Sequence, residues 1–257
     1  MSEHVDLESR ELAQGSIGLM EGLCTTRAIR RYTDEPVPEH VLRDILFAAT
    51  RGPSGSNRQP FRFMTLIDSE RARQAKRVIA EGAQAIWAYK RDNDRYDEGS
   101  GADASSPKAR MARTMQAYVD DFAHVPVLIL PCLVRYRAQR DMEGASIYPA
   151  VQNLLLAARA LGYGGVMTGF HGNVEPPLRE LLQIPDDVVI SCTVTLGKPR
   201  GRHGSVRRRP MGERVFGDCW GEAPAWAVDP PGTRFTKAGP PADVPDPLAH
   251  AEKATET

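Results

Sequence analysis

Two short basic runs carry the clearest chemical signal in this chain. The first is Arg27, Arg30 and Arg31; the second is Arg207, Arg208 and Arg209. A guanidinium grips a phosphate through two parallel N–H donors, so clustered arginines in loops make a candidate anion clamp. The runs lie 180 positions apart, so only the fold can bring them to one ligand. Failing that, they are two solvated charged loops.

A third feature is the loop Pro53-Ser54-Gly55-Ser56-Asn57-Arg58-Gln59-Pro60. Its small residues let backbone N–H groups come close to a ligand, and Asn57 and Gln59 offer both donors and acceptors. It follows neither GxGxxG nor GxxxxGK[ST], so it supports neither a dinucleotide fold nor a P-loop. The six histidines show no HExxH spacing, and Cys24, Cys132, Cys192 and Cys219 form no CxxC pair. No metal site is expected, and no Ser-His-Asp set is evident. His171 is a minor candidate for facing a substrate, while His124 reads as structural. Trp87 and Tyr89 read as packing residues before stacking ones.

The elements that must hold these residues are legible in part. Residues 1–24 read as a helix with an acidic start. Pro38 opens a helix over 38–50, on which Val41, Leu42, Ile45, Leu46 and Ala49 recur at helical spacing. Residues 51–60 are a loop, and 61–67 a strand. Helical patterns cover 69–92 and 107–122, separated by a polar stretch over 93–107 that reads as a mobile surface loop. Residues 125–134 read as a buried strand interrupted by Pro131. A broad apolar helix spans 144–161 and stops at Gly162. A short strand or turn over 165–169, a small helix over 176–183 and one strand over 188–196 complete the pattern. Residues 198–209 carry six Lys or Arg and no acid. From Trp220 onward there are seven prolines, which predicts an extended arm. Strands do not alternate regularly with helices, so a single α+β domain is favoured over a doubly wound parallel sheet.

Composition narrows the function classes. The 33 Lys and Arg balance 33 Asp and Glu, which argues against a nucleic-acid partner. The longest apolar run, 125–134, is half the length a membrane span needs, so no membrane partner is expected. The acidic first residues contain no apolar leader segment, and the scattered cysteines read as reduced thiols. The expectation is a cytoplasmic globular protein.

Taken together, the motifs resemble the FMN-dependent nitroreductase superfamily. The resemblance begins with Arg27-Ala28-Ile29-Arg30-Arg31-Tyr32, then Pro36-Val37-Pro38 opening a helix, then Pro53-Ser54-Gly55-Ser56-Asn57 with Gln59-Pro60-Phe61-Arg62-Phe63. It continues through Tyr148-Pro149-Ala150-Val151-Gln152-Asn153, Leu161-Gly162-Tyr163-Gly164, Leu196-Gly197-Lys198-Pro199 and Arg208-Arg209-Pro210. It covers about residues 22–217.

The resemblance implies a central, mainly antiparallel mixed sheet flanked by helices, in an intertwined homodimer with FMN at the interface. It implies one FMN-binding domain over 1–217 and does not reach the Pro-rich arm over 218–257, which is expected to wrap the partner subunit or to be partly disordered. By resemblance, Arg27 and Arg208 contact the FMN phosphate, and Arg30 sits near the pyrimidine edge of the flavin. Pro53, Ser54 and Asn57 line the ring and ribityl chain, and the Thr168-Gly169 backbone meets flavin N5. Thr26 and Ala28 stand where the family often has Arg and Ser, so Arg31 or Arg207 compensates at the phosphate. The implied activity is NAD(P)H oxidation and ping-pong hydride transfer to a small electron-poor acceptor, such as a nitroaromatic or quinone. NADH and NADPH remain open as reductants. The chemistry rests on the flavin, with no catalytic side chain. Alternatives are dehalogenation, flavin fragmentation or heterocycle dehydrogenation, or flavin binding without turnover.

Overall fold

The structure is a computed structural model that describes residues 17–236 of the 257. The chain divides into two compact units, Met1–Gly204 and Ser205–Thr257. The second begins at Ser205, ahead of the 217/218 boundary that the resemblance implies.

The first unit is built on five strands: β1 (Phe61–Leu66), β2 (Val127–Val134), β3 (Gly164–Thr168), β4 (Val188–Ile190) and β5 (Thr193–Gly197). They run in the order β1-β2-β5-β3, with β4 also on β2, and every described pair is antiparallel. β2 lies at the centre, and its side chains alternate between two cores. Leu128, Leu130 and Cys132 face one, and Val127, Ile129 and Leu133 the other. Burial on both faces explains why its sequence is an almost unbroken apolar run.

Pro131 does not interrupt β2, contrary to the sequence expectation. It pairs with Phe63 on the β1 side. On the other side, β5 covers Val127–Ile129 and β4 covers Cys132–Val134, so Pro131 falls between them. Both backbone groups of a residue in an antiparallel ladder point the same way, and the Pro131 carbonyl accepts from Ser191 N at 2.9 Å. The missing N–H therefore faces the break at Ser191-Cys192, where the ladder needs no donor. That break divides the expected single strand over 188–196 into β4 and β5.

Helices cover both faces of the sheet. α1 is Leu19–Thr25, α2 Glu39–Ala49, α3 Glu70–Asn93, α4 Pro107–Asp120, α5 Tyr148–Ala160 and α6 Glu175–Leu182. The start of the helix expected over 1–24 lies outside the described residues. Pro38 is the residue before α2 rather than its first, extended at ψ 143°. α3 and α4 are capped by Ser69 and Ser106, whose hydroxyls accept from Ala72 N and Ala109 N. Ile45 and Leu154 of α2 and α5 fill one core, and Ile79 and Leu178 of α3 and α6 fill the other. Lys76 on α3 is buried beneath the sheet edge, where Nζ donates to the carbonyls of Ile67 at 2.6 Å and Val125 at 2.7 Å. Burial pulls its pKa down to about 8.

The segment over 93–107 is short of apolar residues but well tethered. Tyr96 packs against Trp87 with ring centroids 5.1 Å apart, Arg91 pairs with Asp97, and Lys108 Nζ donates to Arg95 O. Trp87 is buried in the core, as its packing reading required, and Tyr89 is exposed. His124 is exposed and pairs with Asp121 at 3.0 Å.

The described part of the second unit, residues 205–236, doubles back on itself through a series of turns. Met211 N donates to Asp229 Oδ2 at 2.8 Å, and Thr236 N donates to Arg208 O at 3.1 Å. Pro224 and Pro230 accept in the turns that reverse the chain. Residues 237–257 of the arm lie outside the described residues.

Candidate active site

The first basic run is held as an extended strip. Ile29 N donates to Gly165 O at 3.0 Å, Thr33 N to Lys198 O at 2.8 Å, and Arg200 N to Arg31 O at 2.9 Å. Gly164 permits this approach, since a Cβ there would lie 2.5 Å from the Ile29 side chain. Tyr32 anchors the strip from below. Its hydroxyl donates to Ile29 O at 2.6 Å and lies 2.8 Å from Thr195 Oγ1, which also meets Tyr118 Oη at 2.8 Å. Burial drives the Tyr32 phenol well above its ordinary pKa, so the network stays neutral.

Above the strip lies a cleft of about 410 Å³, within the range of small-molecule sites. Arg27, Ala28, Arg30 and Arg31 line it from the strip, Arg110 and Met111 from α4, and Arg200 and Arg202 from the segment after β5. The lining thus holds six guanidiniums and no carboxylate. Arg200 pairs with Asp34 at 3.0 Å, and Arg110 donates to Ser105 O. Arg27, Arg31 and Arg202 have no ion pair among the described residues.

Arg30 is the most enclosed of the six. Its guanidinium lies among the phenols of Tyr118, Tyr32 and Tyr96, and burial pulls its pKa below the ordinary arginine value. Its buried Nε meets no acceptor. An unpaired buried donor on a charged group is costly, and a ligand acceptor would relieve that cost. The cleft therefore fits an anion such as the FMN phosphate. Arg110, Arg200 and Arg202 were not singled out as site residues in the sequence. The basic run over 198–209 hinted at the last two, while Arg110 is one of two exposed arginines on its helix, with Arg113.

The Pro53–Asn57 loop is a different kind of structure. Ser56, Asn57 and Gln59 all have left-handed backbone, with φ of 51°, 51° and 50°. Each such non-glycine residue stores on the order of 1 kcal/mol of strain. The Ser54 hydroxyl holds the turn by accepting from Gln59 N at 2.9 Å, and Gln59 Nε2 reaches Asn57 Oδ1 at 3.1 Å. Gly52 seats the loop on α5, where a Cβ would lie 2.7 Å from the Ala150 backbone. Gly55 N donates to Ser146 Oγ at 3.3 Å. Pro53, Ser54 and Asn57 are absent from the cleft lining, and no described hydrogen bond joins the loop to Arg27–Arg31 within one chain.

Thr168 and Gly169 close β3. Thr168 Oγ1 lies 2.6 Å from Thr193 Oγ1, and Gly169 is open, with nothing within 4 Å of a would-be Cβ. Gly169 stands four residues beyond Gly165, the partner of Ile29, a span of about 13 Å along the strand. His171 is buried against the Ile190 backbone, and burial lowers its pKa. Its buried Nδ1 has no hydrogen-bond partner among the described residues. Arg207 and Arg208 belong to the second unit and are exposed there, with Arg208 Nη1 donating to Arg207 O at 3.0 Å. Among the described residues, no group of three or more His, Cys, Asp or Glu could hold a metal, all four cysteines are free, and no helix is long and apolar enough to cross a membrane.

Comparison with known proteins covers this same region. Residues 24–198 match the nitroreductase family. An NADH dehydrogenase of Thermus thermophilus is 30% identical over 210 residues, covering 74% of this chain and 90% of that protein. A 4-nitrobenzoate reductase of Nocardioides is 25% identical, over 74% of this chain and 85% of that one. Among solved structures, a nitroreductase homologue from Desulfovibrio desulfuricans in complex with FMN is similar. It has a TM-score of 0.55 and 26% identity over 78% of this chain and 96% of that one. The chain belongs to the nitroreductase family, whose members are oxidoreductases.

Proposed function

We propose that this protein is an FMN-dependent NAD(P)H oxidoreductase that reduces small electron-poor acceptors such as nitroaromatics or quinones. One observation carries the reading: a 410 Å³ cleft with six guanidiniums, no acid and an unpartnered buried donor on Arg30. Arg27 would hold the cofactor phosphate, with Arg31 or Arg207 compensating for Thr26 and Ala28, and Arg208 as a further phosphate ligand. Arg30 would sit at the pyrimidine edge, where preorganised positive charge stabilises negative charge that develops on reduction. The open Gly169 backbone, set by Thr168, would approach the reacting edge of the ring. When bound, FMN supplies two-electron hydride chemistry between a nicotinamide and the acceptor.

The loop with Pro53, Ser54 and Asn57 completes the site from a second copy in this reading, because its contacts within one chain run to α5 instead of the cleft. That makes the working form a homodimer, with 218–257 as an arm reaching the partner, in the cytoplasm. The purified protein should be yellow and carry FMN. Anaerobic addition of NADH or NADPH should bleach it, and an acceptor should restore the colour. A colourless protein that stays apo after incubation with FMN would overturn the proposal. Bound flavin that neither nucleotide reduces would leave a binding protein without turnover. Arg208→Ala should weaken FMN binding more than tenfold with little loss of stability, and an unchanged dissociation constant would remove Arg208 from the site.

A further inference from the structure

The cleft carries more positive charge than one cofactor phosphate requires. Of its six guanidiniums, Asp34 offsets that of Arg200. A phosphate dianion offsets two more, which leaves an excess of three positive charges with no carboxylate in the lining. The excess has a separate structural origin. Arg27, Arg30 and Arg31 come from the strip, whereas Arg110 projects from α4 and Arg202 from the segment after β5. Arg202 and Arg31 are exposed and have no ion pair among the described residues. Like charges gathered in one cleft repel one another, and a surface segment gains nothing structural from converging there. Field lines concentrate in such a cleft and favour an anionic visitor.

We propose that Arg110 and Arg202 form a second oxyanion subsite, which binds a terminal oxyanion of the molecule that exchanges electrons at this site. The inference rests on the oxidoreductase reading above and adds the charge of its substrate. Two sources share that chemistry: the 2′-phosphate that distinguishes NADPH from NADH, and a carboxylate on an aromatic acceptor. Either gives a guanidinium fork a planar or tetrahedral oxyanion to grip in two places.

The experiment uses the full chain loaded with FMN. Calorimetry measures binding of adenosine 2′-monophosphate against adenosine, and of 4-nitrobenzoate against nitrobenzene. Steady-state rates compare NADPH with NADH and the same two acceptors. The charged member of at least one pair should bind at least tenfold more tightly and react with at least tenfold higher kcat/KM. Arg202→Ala and Arg110→Ala should each shrink that charged-to-neutral ratio at least fivefold, while the FMN dissociation constant moves less than threefold. Arg202→Ala guards against a folding artefact, because Arg110 also bonds the backbone at Ser105. Which pair responds identifies the source. Equal losses on charged and neutral members, or no charge preference in the wild type, overturn the subsite. So does an FMN affinity that falls as far in Arg202→Ala as in Arg27→Ala, since these arginines would then serve the cofactor phosphate. If the protein takes up no FMN, the oxidoreductase reading fails on its own. Oxyanion binding to the apo chain, weakened by Arg202→Ala, would still report the subsite, and its absence would sink it.

Discussion

In the proposed site, the cleft and the Pro53–Asn57 loop would hold a ligand in opposite ways. In the cleft, an ordinary extended backbone presents charged side chains, and recognition would rest on the guanidiniums. In the loop, the side chains are small and neutral, and recognition would rest on a left-handed backbone held by Ser54 and seated by Gly52. Charge acts at a distance, is screened by salt and tolerates small displacements. A strained backbone acts only in contact, is insensitive to salt and tolerates almost no displacement. The cleft should therefore respond to residue charge, and the loop to changes in backbone conformation.

The largest expected effect comes from the charged side. Replacing both Arg27 and Arg30 with Ala should raise the FMN dissociation constant more than a hundredfold, since hydrogen bonds to charged groups contribute about 1.5–3 kcal/mol each. Fluorescence titration measures it, and the melting temperature should not fall, because repulsion in the cleft is relieved. An unfolded double variant would show that the strip is structural first. Next comes Gly52→Ala, which forces a methyl against the Ala150 backbone. It should cost about 2 kcal/mol of stability and lower the melting temperature by several degrees. If stability is unchanged but FMN affinity falls, the loop moves as a unit and Gly52 is not its seat.

A smaller effect separates the two regions directly. Raising salt from 50 to 500 mM should weaken FMN binding about tenfold by screening the cleft. That dependence should flatten in the double arginine variant and persist in Ser54→Ala. Equal slopes in both variants would mean that the cleft does not supply the electrostatic part of binding. The smallest effect is Ser56→Gly. Glycine relieves the left-handed strain but loses backbone freedom on folding, so a net gain of about 0.5 kcal/mol is expected in urea unfolding. A loss would show that the Ser56 side chain makes a contact worth more than the strain.

Much of the framework was legible in the sequence. Helical spacing located α2 to within one residue at each end and α5 to within four, and the helical patterns over 69–92 and 107–122 located α3 and α4. The apolar run over 125–134 marked the central strand, because burial on both faces leaves no polar alternation to dilute it. The errors have one cause. Pro131 reads as a breaker, and 188–196 as one strand, when each is judged by local preference. Their outcome depends on what pairs across the sheet at that position, which is a relation between residues some 60 apart. The tethered stretch over 93–107 follows the same rule. Tyr96 on Trp87 is a contact that composition does not predict.

The candidate site divides in the same way. The sequence by itself determined which residue types were on offer: the Arg27–Arg31 strip, the small polar loop after α2, and the Thr168-Gly169 turn. These are local patterns, and their chemistry is fixed by residue identity. Only the tertiary structure decided that Arg110, Arg200 and Arg202 join the strip around one cleft, that Arg30 keeps a buried donor without an acceptor, and that the Ser/Asn loop makes its contacts on α5 within its own chain. The physical reason is that charge and burial are sums over neighbours in space. A chain whose formal net charge is zero can still concentrate six guanidiniums around 410 Å³, and that concentration exists only once the helices and strands have packed.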